Sequence, residues 1–516
     1  MNKYLLILLL PLLTRCAPKV SNYFDSTHYV ESFYTHIVND SLRLHMKTGG
    51  DIHFIREKDS LKQAVKRSNG RLDGLMAYGY TKMPPHYKLF LMLNPGGTMK
   101  PEGMNEVILD TLIQEKRLVL LCRAASGQSL SSTRSDCNGM FRSITTGKNY
   151  RENLASVFDL NKRFGNRYYQ ALVNTLDYPA QGRNEEWLKL QIALNYASFL
   201  APNNVYESLL TKFIRPGTND STRQIIKDRA VHGKNRSYRK ILEFSAESDI
   251  VMFNEQHFFP SHRILLKELL PELKKIGFEY LALEALSEGQ DSLLNAGHTP
   301  SIKTGYYTRE QHFAELIRTG QELGFHFVAY ENFDPEKDRE QGQADNLYDK
   351  TFSKNKAARV IVLAGVDHIL EKPTGRGKRW MAALFKERYD LDPLTISQSH
   401  LIEYGQMADP VALISSDNFN NDRLRSVDWL VLNNLPLLDT ESNYLFNNGF
   451  DQTMQLALFK ASEINKKTDP YLRIPFRTTL VNPAETARYR LPEGHYLQVV
   501  IDRYGKAVSE ESIFID

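Results

Sequence analysis

At 516 residues the chain is longer than one hydrophobic core ordinarily serves, so two or three domains are expected. Its 42% hydrophobic and 24% charged content, without any long biased tract, is that of a globular protein. Lys plus Arg total 65 against 61 Asp plus Glu, and the formal net charge of +4 is too small for this size to argue for a nucleic-acid partner.

The chain opens with a short basic start, Met1-Asn2-Lys3, and an apolar run over 4–13 that is too short to span a bilayer. Cys16 follows at once, and the whole is the pattern of an export signal. "LLTRC" resembles a lipoprotein cleavage box, with Arg15 where a small residue is usual. The resemblance implies removal of the upstream peptide and lipidation of Cys16. The protein is therefore expected to be exported and lipid-anchored in a bacterial envelope, in the periplasm or at the cell surface. An ordinary signal with an incidental cysteine is the other reading. Cys122 and Cys137 lack the CxxC spacing of a zinc or redox site. In an oxidising compartment they either pair or remain two separate buried thiols.

Within 21–122, "DIHFI", "YKLFLML" and "RLVLLC" are short predicted strands broken by turn signals such as "NPGG". From about 150 to 213 the period becomes helical in "ENLASVFDLNKRF", "NEEWLKLQIALNYASFL" and "NVYESLLTKFI", and "RPGTNDSTR" follows as a surface loop. Residues 21–245 thus form a mixed, then helical, N-terminal region without recognisable chemistry.

The stretch 249–435 is more regular. "DIVMF" is a strand, and "SHRILLKELLPELKKIG" a helix capped by Gly277 in which Pro271 is expected to introduce a kink or a division. "EYLALEAL" is the next strand. The helix in "TREQHFAELIRTGQELG" is expected to start at Thr308, with Gln311 completing a capping box, and to end at Gly324. "FHFVAYE" is a third strand, Ala344, Leu347, Tyr348 and Phe352 mark a helix face, and "ARVIVLAG" is a fourth strand. Strands alternating with amphipathic helices predict an α/β fold, a mainly parallel sheet with helices on both faces. "PVALIS" and "DWLVLNN" add further strands, and 440–516 alternates apolar and polar residues as a small β-rich module.

Ligand sites in such sheets lie at the carboxyl ends of the strands. There the sequence places Asn254-Glu255-Gln256-His257, Glu284, Glu331 and Asp367-His368. His257 is the first candidate for a general base, with Glu284 to orient it, polarise it or serve as the base itself; Glu255 and His368 complete the catalytic set. Gly365 is expected to let the chain depart sharply before His368. Arg339 opens a helix, where a cation opposes the macrodipole, so a carboxylate partner or an anionic substrate group is expected. His262, Arg263 and Glu331 are placed with it as substrate-binding candidates. His257, His368 and Glu284 suit either metal-free acid–base hydrolysis or a mixed nitrogen–oxygen metal site. The loop over 287–305 is long enough to serve as a lid or simply to be mobile.

"FNEQHFFPSHRILLKELLPELKKIGFEYLALE" and "DREQGQADNLYDKTFSKNKAARVIVLAGVDHI" resemble the superfamily that joins erythromycin esterases, ChaN-type haem-binding lipoproteins and the TraB/GumN/Tiki proteins. The similarity covers about 249–401. Glu255 and His257 match a Gly-Glu-x-His motif, Glu284 a second motif, Arg339 with Glu340 a third, and Gly365 with His368 a fourth. The resemblance implies a shared crevice in which a histidine and a glutamate activate water to split an ester or related bond. Its alternatives are haem or iron binding without turnover and metal-dependent peptide hydrolysis. The cofactor is accordingly none, haem or a divalent metal, and the ligand a small molecule or peptide. Asn254 stands where the motif has glycine, and its tolerance of left-handed backbone is expected to preserve the turn.

Overall fold

The computed structural model describes residues 27–516 apart from 32–33, 40–43, 50–51, 56–57, 82–85, 114, 128–129, 145–157, 159–160, 163, 179, 181, 376 and 465–469. The export signal, Cys16 and most of the helix expected over 152–164 lie outside the described residues. The chain forms two compact units, Met1–Leu160 and Asn161–Asp516.

In the first unit, β1 (Thr27–Glu31), β2 (Tyr34–Asn39) and β3 (Leu44–Gly49) make an antiparallel sheet. A second antiparallel sheet has β4 (Ile52–Phe54), β5 (Leu75–Thr81), β6 (Tyr87–Leu93), β8 (Lys116–Ala124) and β7 (Glu106–Ile113) in that spatial order. The two-residue period of a strand sends alternate side chains to opposite faces. Phe90 and Met92 pack with Leu61 and Val65 of α1 (Lys58–Arg67), while Leu89 and Leu91 pack with Cys137 and Met140 of α2 (Leu130–Arg142). Cys122 of β8 and Cys137 of α2 are disulfide-bonded, with Cα atoms 6.6 Å apart.

The second unit begins with α3 (Tyr168–Leu176), α4 (Gly182–Phe199), α5 (Asn204–Phe213), α6 (Asp220–Arg229), the short β9 (Val231–His232) and α7 (Lys234–Ala246). These helices belong to the same unit as the large sheet: the Tyr206 hydroxyl donates to the Phe258 carbonyl at 3.0 Å and the Tyr168 hydroxyl to the Arg309 carbonyl at 2.9 Å. The sheet is built from β10 (Ile250–Glu255), β11 (Tyr280–Leu283), β12 (His326–Val328), β13 (Val360–Gly365), β14 (Leu394–Ser397), β15 (Val411–Ser415) and β16 (Trp429–Asn433) together with β9. Its order is β12-β11-β13-β10-β14-β16-β15-β9, parallel from β12 to β16 and antiparallel at β15 and β9.

Connecting helices are α8 (Pro260–Lys275), α9 (Gln290–Asn295), α10 (Gln311–Glu322), α11 (Arg339–Lys350) and α12 (Met381–Tyr389). Ile250 and Met252 of β10 pack with Ala344 and Leu347 of α11 and Phe385 of α12. Val251 and Phe253 face the other way, onto Leu265 and Leu269 of α8 and Phe313 and Ile317 of α10. Every residue of β10 and β13 is buried, which explains their unbroken apolar runs.

A four-stranded antiparallel sheet of β19 (Arg477–Val481), β18 (Met454–Lys460), β21 (Gly494–Ile501) and β22 (Ala507–Ile515), with the pair β17 (Tyr444–Asn447) and β20 (Thr486–Tyr489), ends the unit. Gln311 of α10 exchanges hydrogen bonds with the backbone of Thr478, and Arg318 forms two 2.8 Å contacts with Glu463. At the level of a mixed α/β protein the expected class holds.

Three local expectations are corrected. Pro271 does not divide α8, because Leu269, Leu270 and Leu273 around it are all buried and that packing outweighs one missing backbone hydrogen bond. The cap of α10 is Glu310 rather than Thr308: its carboxylate accepts from the backbone N–H of His312 at 2.8 Å and of Phe313 at 2.9 Å. The segment 287–305 is anchored rather than a free lid, since it carries α9, Ser287 N–H donates to the Thr304 carbonyl, and Ser301 bridges to Arg473.

Candidate functional site

At the carboxyl ends of β10, β11 and β13 the chain leaves the sheet around a cavity of about 510 Å³. His257, Glu284, Glu331, Arg339 and His368 all line it, and so do Tyr306, Tyr307, Phe333, Gly365, Asp367 and Trp380. Four separate loops thus deliver titratable groups into one hollow.

His257 is held from behind. Its Nδ1 lies 2.9 Å from Glu255 Oε1, and its ring stacks on Tyr307 with centroids 3.8 Å apart. The Glu255 carboxylate is itself fixed by Arg263, whose Nε donates to Oε2 at 2.7 Å and whose Nη2 donates to Oε1 at 3.0 Å. Arg263 also donates through Nη2 to the His257 carbonyl at 2.6 Å and through Nη1 to Glu310 at 3.1 Å. Burial by itself would raise the Glu255 carboxyl, but Arg263 and His257 outweigh it and bring the group to about 2. Glu255 is therefore a permanent acceptor, which assigns the ring proton of neutral His257 to Nδ1 and leaves Nε2 as the basic nitrogen.

The opposite edge of that ring borders Glu284 and Gly365. A methyl group built on Gly365 would begin 3.1 Å from His257 Cε1 and Nε2 and 3.3 Å from Glu284 Oε2. Glycine is needed here for space and not, as expected, for a special backbone angle: Gly365 is not among the residues with positive φ. Glu284 accepts from Gly365 N–H and, at 2.8 Å, from Arg339 Nη2. Burial pushes its carboxyl upward, but His368, His257, the Gly365 N–H and Arg339 hold it below the ordinary carboxylate value.

Arg339, half-exposed on the cavity, is the hub of the far wall. Its Nε and Nη2 grip Glu331 at 3.0 and 2.5 Å, and its Nη1 lies 3.1 Å from His368 Nε2. These carboxylates answer how a cation is tolerated at the start of α11, where the macrodipole opposes it. His368 Nδ1 donates to the buried Glu340 at 2.7 Å, and its Nε2 also lies 3.4 Å from Glu284. Burial lowers the His368 pKa, but Glu340 and Glu284 outweigh it and raise the net value. Its Nε2 can thus accept from Arg339 when neutral and donate to Glu284 when protonated.

Two expected substrate contacts are not at the cavity. Arg263 is fully buried behind Glu255, and His262 is buried with Nδ1 accepting from Gln256 N–H at 3.0 Å; burial brings the His262 pKa to about 3. The first turn of α8 points into the protein, so both brace the Glu255–His257 loop. Asn254 is likewise an ordinary strand residue of β10 rather than a left-handed turn. Its amide donates to the Val366 carbonyl at 2.6 Å and to Ser399 at 2.7 Å, and accepts from Gln398 N–H at 2.6 Å. It ties the strand ends of β13 and β14 to β10, a task glycine cannot perform.

The donors considered for a metal do not fit one. The Arg339 guanidinium already lies on Glu284 Oε1 and His368 Nε2, and among the described residues no group of three or more His, Cys, Asp or Glu side chains is placed to hold a metal ion. Tyr307, Trp380 and Glu310 were not singled out from sequence. Tyr307 and Glu310 lie in the connection "GYYTREQ", far in sequence from His257 and Arg263, and only folding brings Tyr307 onto the first and Glu310 onto the second.

No family model matches the chain, and no curated protein matches it. Among solved structures it is similar to the type III effector HopBA1 at 13% identity and a TM-score of 0.28, over 38% of this chain and 91% of that one. It is also similar to ChaN of Campylobacter jejuni, described with cofacially bound haem, at 11% identity and a TM-score of 0.24, over 39% and 95% of the two chains. Likenesses this weak carry no argument about function.

Proposed function

We propose that the cavity is a hydrolytic site in which His257 activates water for attack on an ester or related bond. The observation that supports this reading best is the buried Glu255 carboxylate fixed on the Nδ1 of a His257 ring that itself lines the cavity. His257 Nε2 takes a proton from water while the imidazolium is stabilised by Glu255 on one side and Glu284 on the other. Arg339 and His368 polarise the carbonyl, and His257 returns the proton to the leaving alcohol. The sequence motifs over 249–401 support placing the chain with the erythromycin esterase, ChaN and TraB/GumN/Tiki superfamily.

The test is a screen of carboxylic esters and lactones with the wild-type protein and His257→Ala. General-base catalysis contributes about 10²- to 10⁴-fold, so kcat/KM for any substrate found is expected to fall about 10³-fold with unfolding unchanged. Equal rates in the two proteins remove the proposal. Addition of haem to the same samples separates the binding alternative: a haem absorption shift without turnover favours it. The N-terminal pattern supports export with a lipid anchor on Cys16, and palmitate labelling that persists in Cys16→Ser overturns that part.

A further inference from the structure

The mouth of the cavity carries a second kind of chemistry, concentrated in the connection between β13 and α12. Residues 372–380, "KPTGRGKRW", contain several cations and no acid. A tight turn at Gly377, with φ +85°, brings Thr374 and Lys378 into an antiparallel bridge closed by hydrogen bonds of 2.9 and 3.0 Å. The turn then fixes Trp380: its indole N–H donates to the Thr374 hydroxyl at 2.8 Å, and its ring forms part of the cavity wall. Lys378 Nζ sits 3.4 Å from the centre of that ring.

Charge in the cavity is otherwise internally matched. Glu284 and Glu331 are taken by Arg339, and Asp367 is taken by Arg423 at 2.6 Å and His400 at 3.2 Å. Lys378 is not matched in this way. Its carboxylate neighbour, Glu340, is 3.6 Å away, buried, and already accepting from His368 and from Met381 N–H. Lys378 therefore stands as a loosely matched cation over Trp380, which together with the half-exposed Phe333 gives the cavity an apolar lining.

From this juxtaposition we infer that the cavity selects a substrate with a planar or apolar body and an anionic substituent, the body lying against Trp380 and the anion held by Lys378. The inference rests on the hydrolytic reading for the word substrate, but the subsite itself needs no turnover. Carboxylate and phosphate share the required chemistry, and the arms of the experiment separate them.

The experiment is calorimetric titration of the full chain with probes that cannot be hydrolysed and share one phenyl body: phenylphosphonate, benzoate, benzyl alcohol and benzylammonium. An ion contact at a partly desolvated rim corresponds to about a tenfold gain, so at least one anion is expected to bind about tenfold more tightly than benzyl alcohol, and benzylammonium more weakly. Phenylphosphonate ahead of benzoate assigns a phosphate group, and the reverse order a carboxylate. In Lys378→Gln, an exposed position expected to fold, the preference is expected to shrink to about twofold or less. Probes that bind alike, no binding of any probe, or an undiminished preference in Lys378→Gln overturns the inference. Because no bond is broken, an anion preference without esterase activity leaves the subsite standing and removes only the hydrolytic reading.

Discussion

Glu255 offers the sharpest energetic prediction, because its ionisation is tied to both stability and the site. Its carboxyl moves from an ordinary 4.5 to about 2 in the folded protein: burial opposes ionisation, and the surrounding Arg263 and His257 more than offset it. At about 1.4 kcal/mol per pH unit this corresponds to about 3 kcal/mol of stability. Since the folded value lies below the unfolded one, the contribution is complete above about pH 4.5 and is lost as pH falls toward 2. Glu255→Gln keeps the shape, removes the charge and leaves the fully buried Arg263 with Glu310 as its remaining carboxylate. Urea unfolding of the two proteins is expected to differ by about 3 kcal/mol at pH 7, and the difference is expected to narrow steadily below pH 4.5, as Glu255 itself becomes protonated. A difference under about 1 kcal/mol at pH 7, or one that stays constant as the pH is lowered, refutes the assignment of Glu255 as an ionised, Arg263-bound group.

Other predictions follow from single contacts. Gly365→Ala puts a methyl 3.1 Å from the His257 ring, so any hydrolysis is expected to fall about 100-fold while stability drops by no more than about 2 kcal/mol; an active Gly365→Ala enzyme contradicts the tight gap. Asn254→Ala removes a buried amide that bonds Val366, Gln398 and Ser399, and is expected to cost about 2–3 kcal/mol in denaturant unfolding, whereas a neutral change shows the strand ends are held otherwise. Reducing Cys122–Cys137, or replacing both by serine, opens a loop with a sequence separation of 15; by the chain-entropy argument it lowers stability by about 3 kcal/mol, measured with and without reductant.

The strand ends were legible because the physics behind them is local. Buried parallel strands give continuous apolar runs, and the first polar groups after "DIVMF", "EYLAL" and "RVIVLAG" must emerge at one edge of the sheet; Glu284 and His368 followed from that rule. What stayed hidden depends on which way a turn faces. Arg263 and His262 open α8 and look like residues of the cavity mouth, yet the first turn of that helix is rotated inward, and Arg263 spends its donors on Glu255, Glu310 and the His257 carbonyl. Tyr307 and Glu310 reach His257 and Arg263 from a connection some fifty residues away, a distance no periodicity spans. Trp380 is fixed in the cavity wall by the hydrogen bond of its indole to Thr374, a contact that no sequence period marks. Asn254 misled because the motif it interrupts suggested a backbone role, whereas its amide was the functional part.

The most direct test is the tautomer of His257, read by nitrogen NMR of protein labelled in histidine and assigned with His257→Gln. With Glu255 ionised against Nδ1, the neutral ring is predicted to carry its proton on Nδ1 and to present an unprotonated Nε2 to the cavity, and Glu255→Gln is predicted to disturb that signal. A neutral ring protonated on Nε2 in the wild-type protein would contradict the general-base arrangement at its first step.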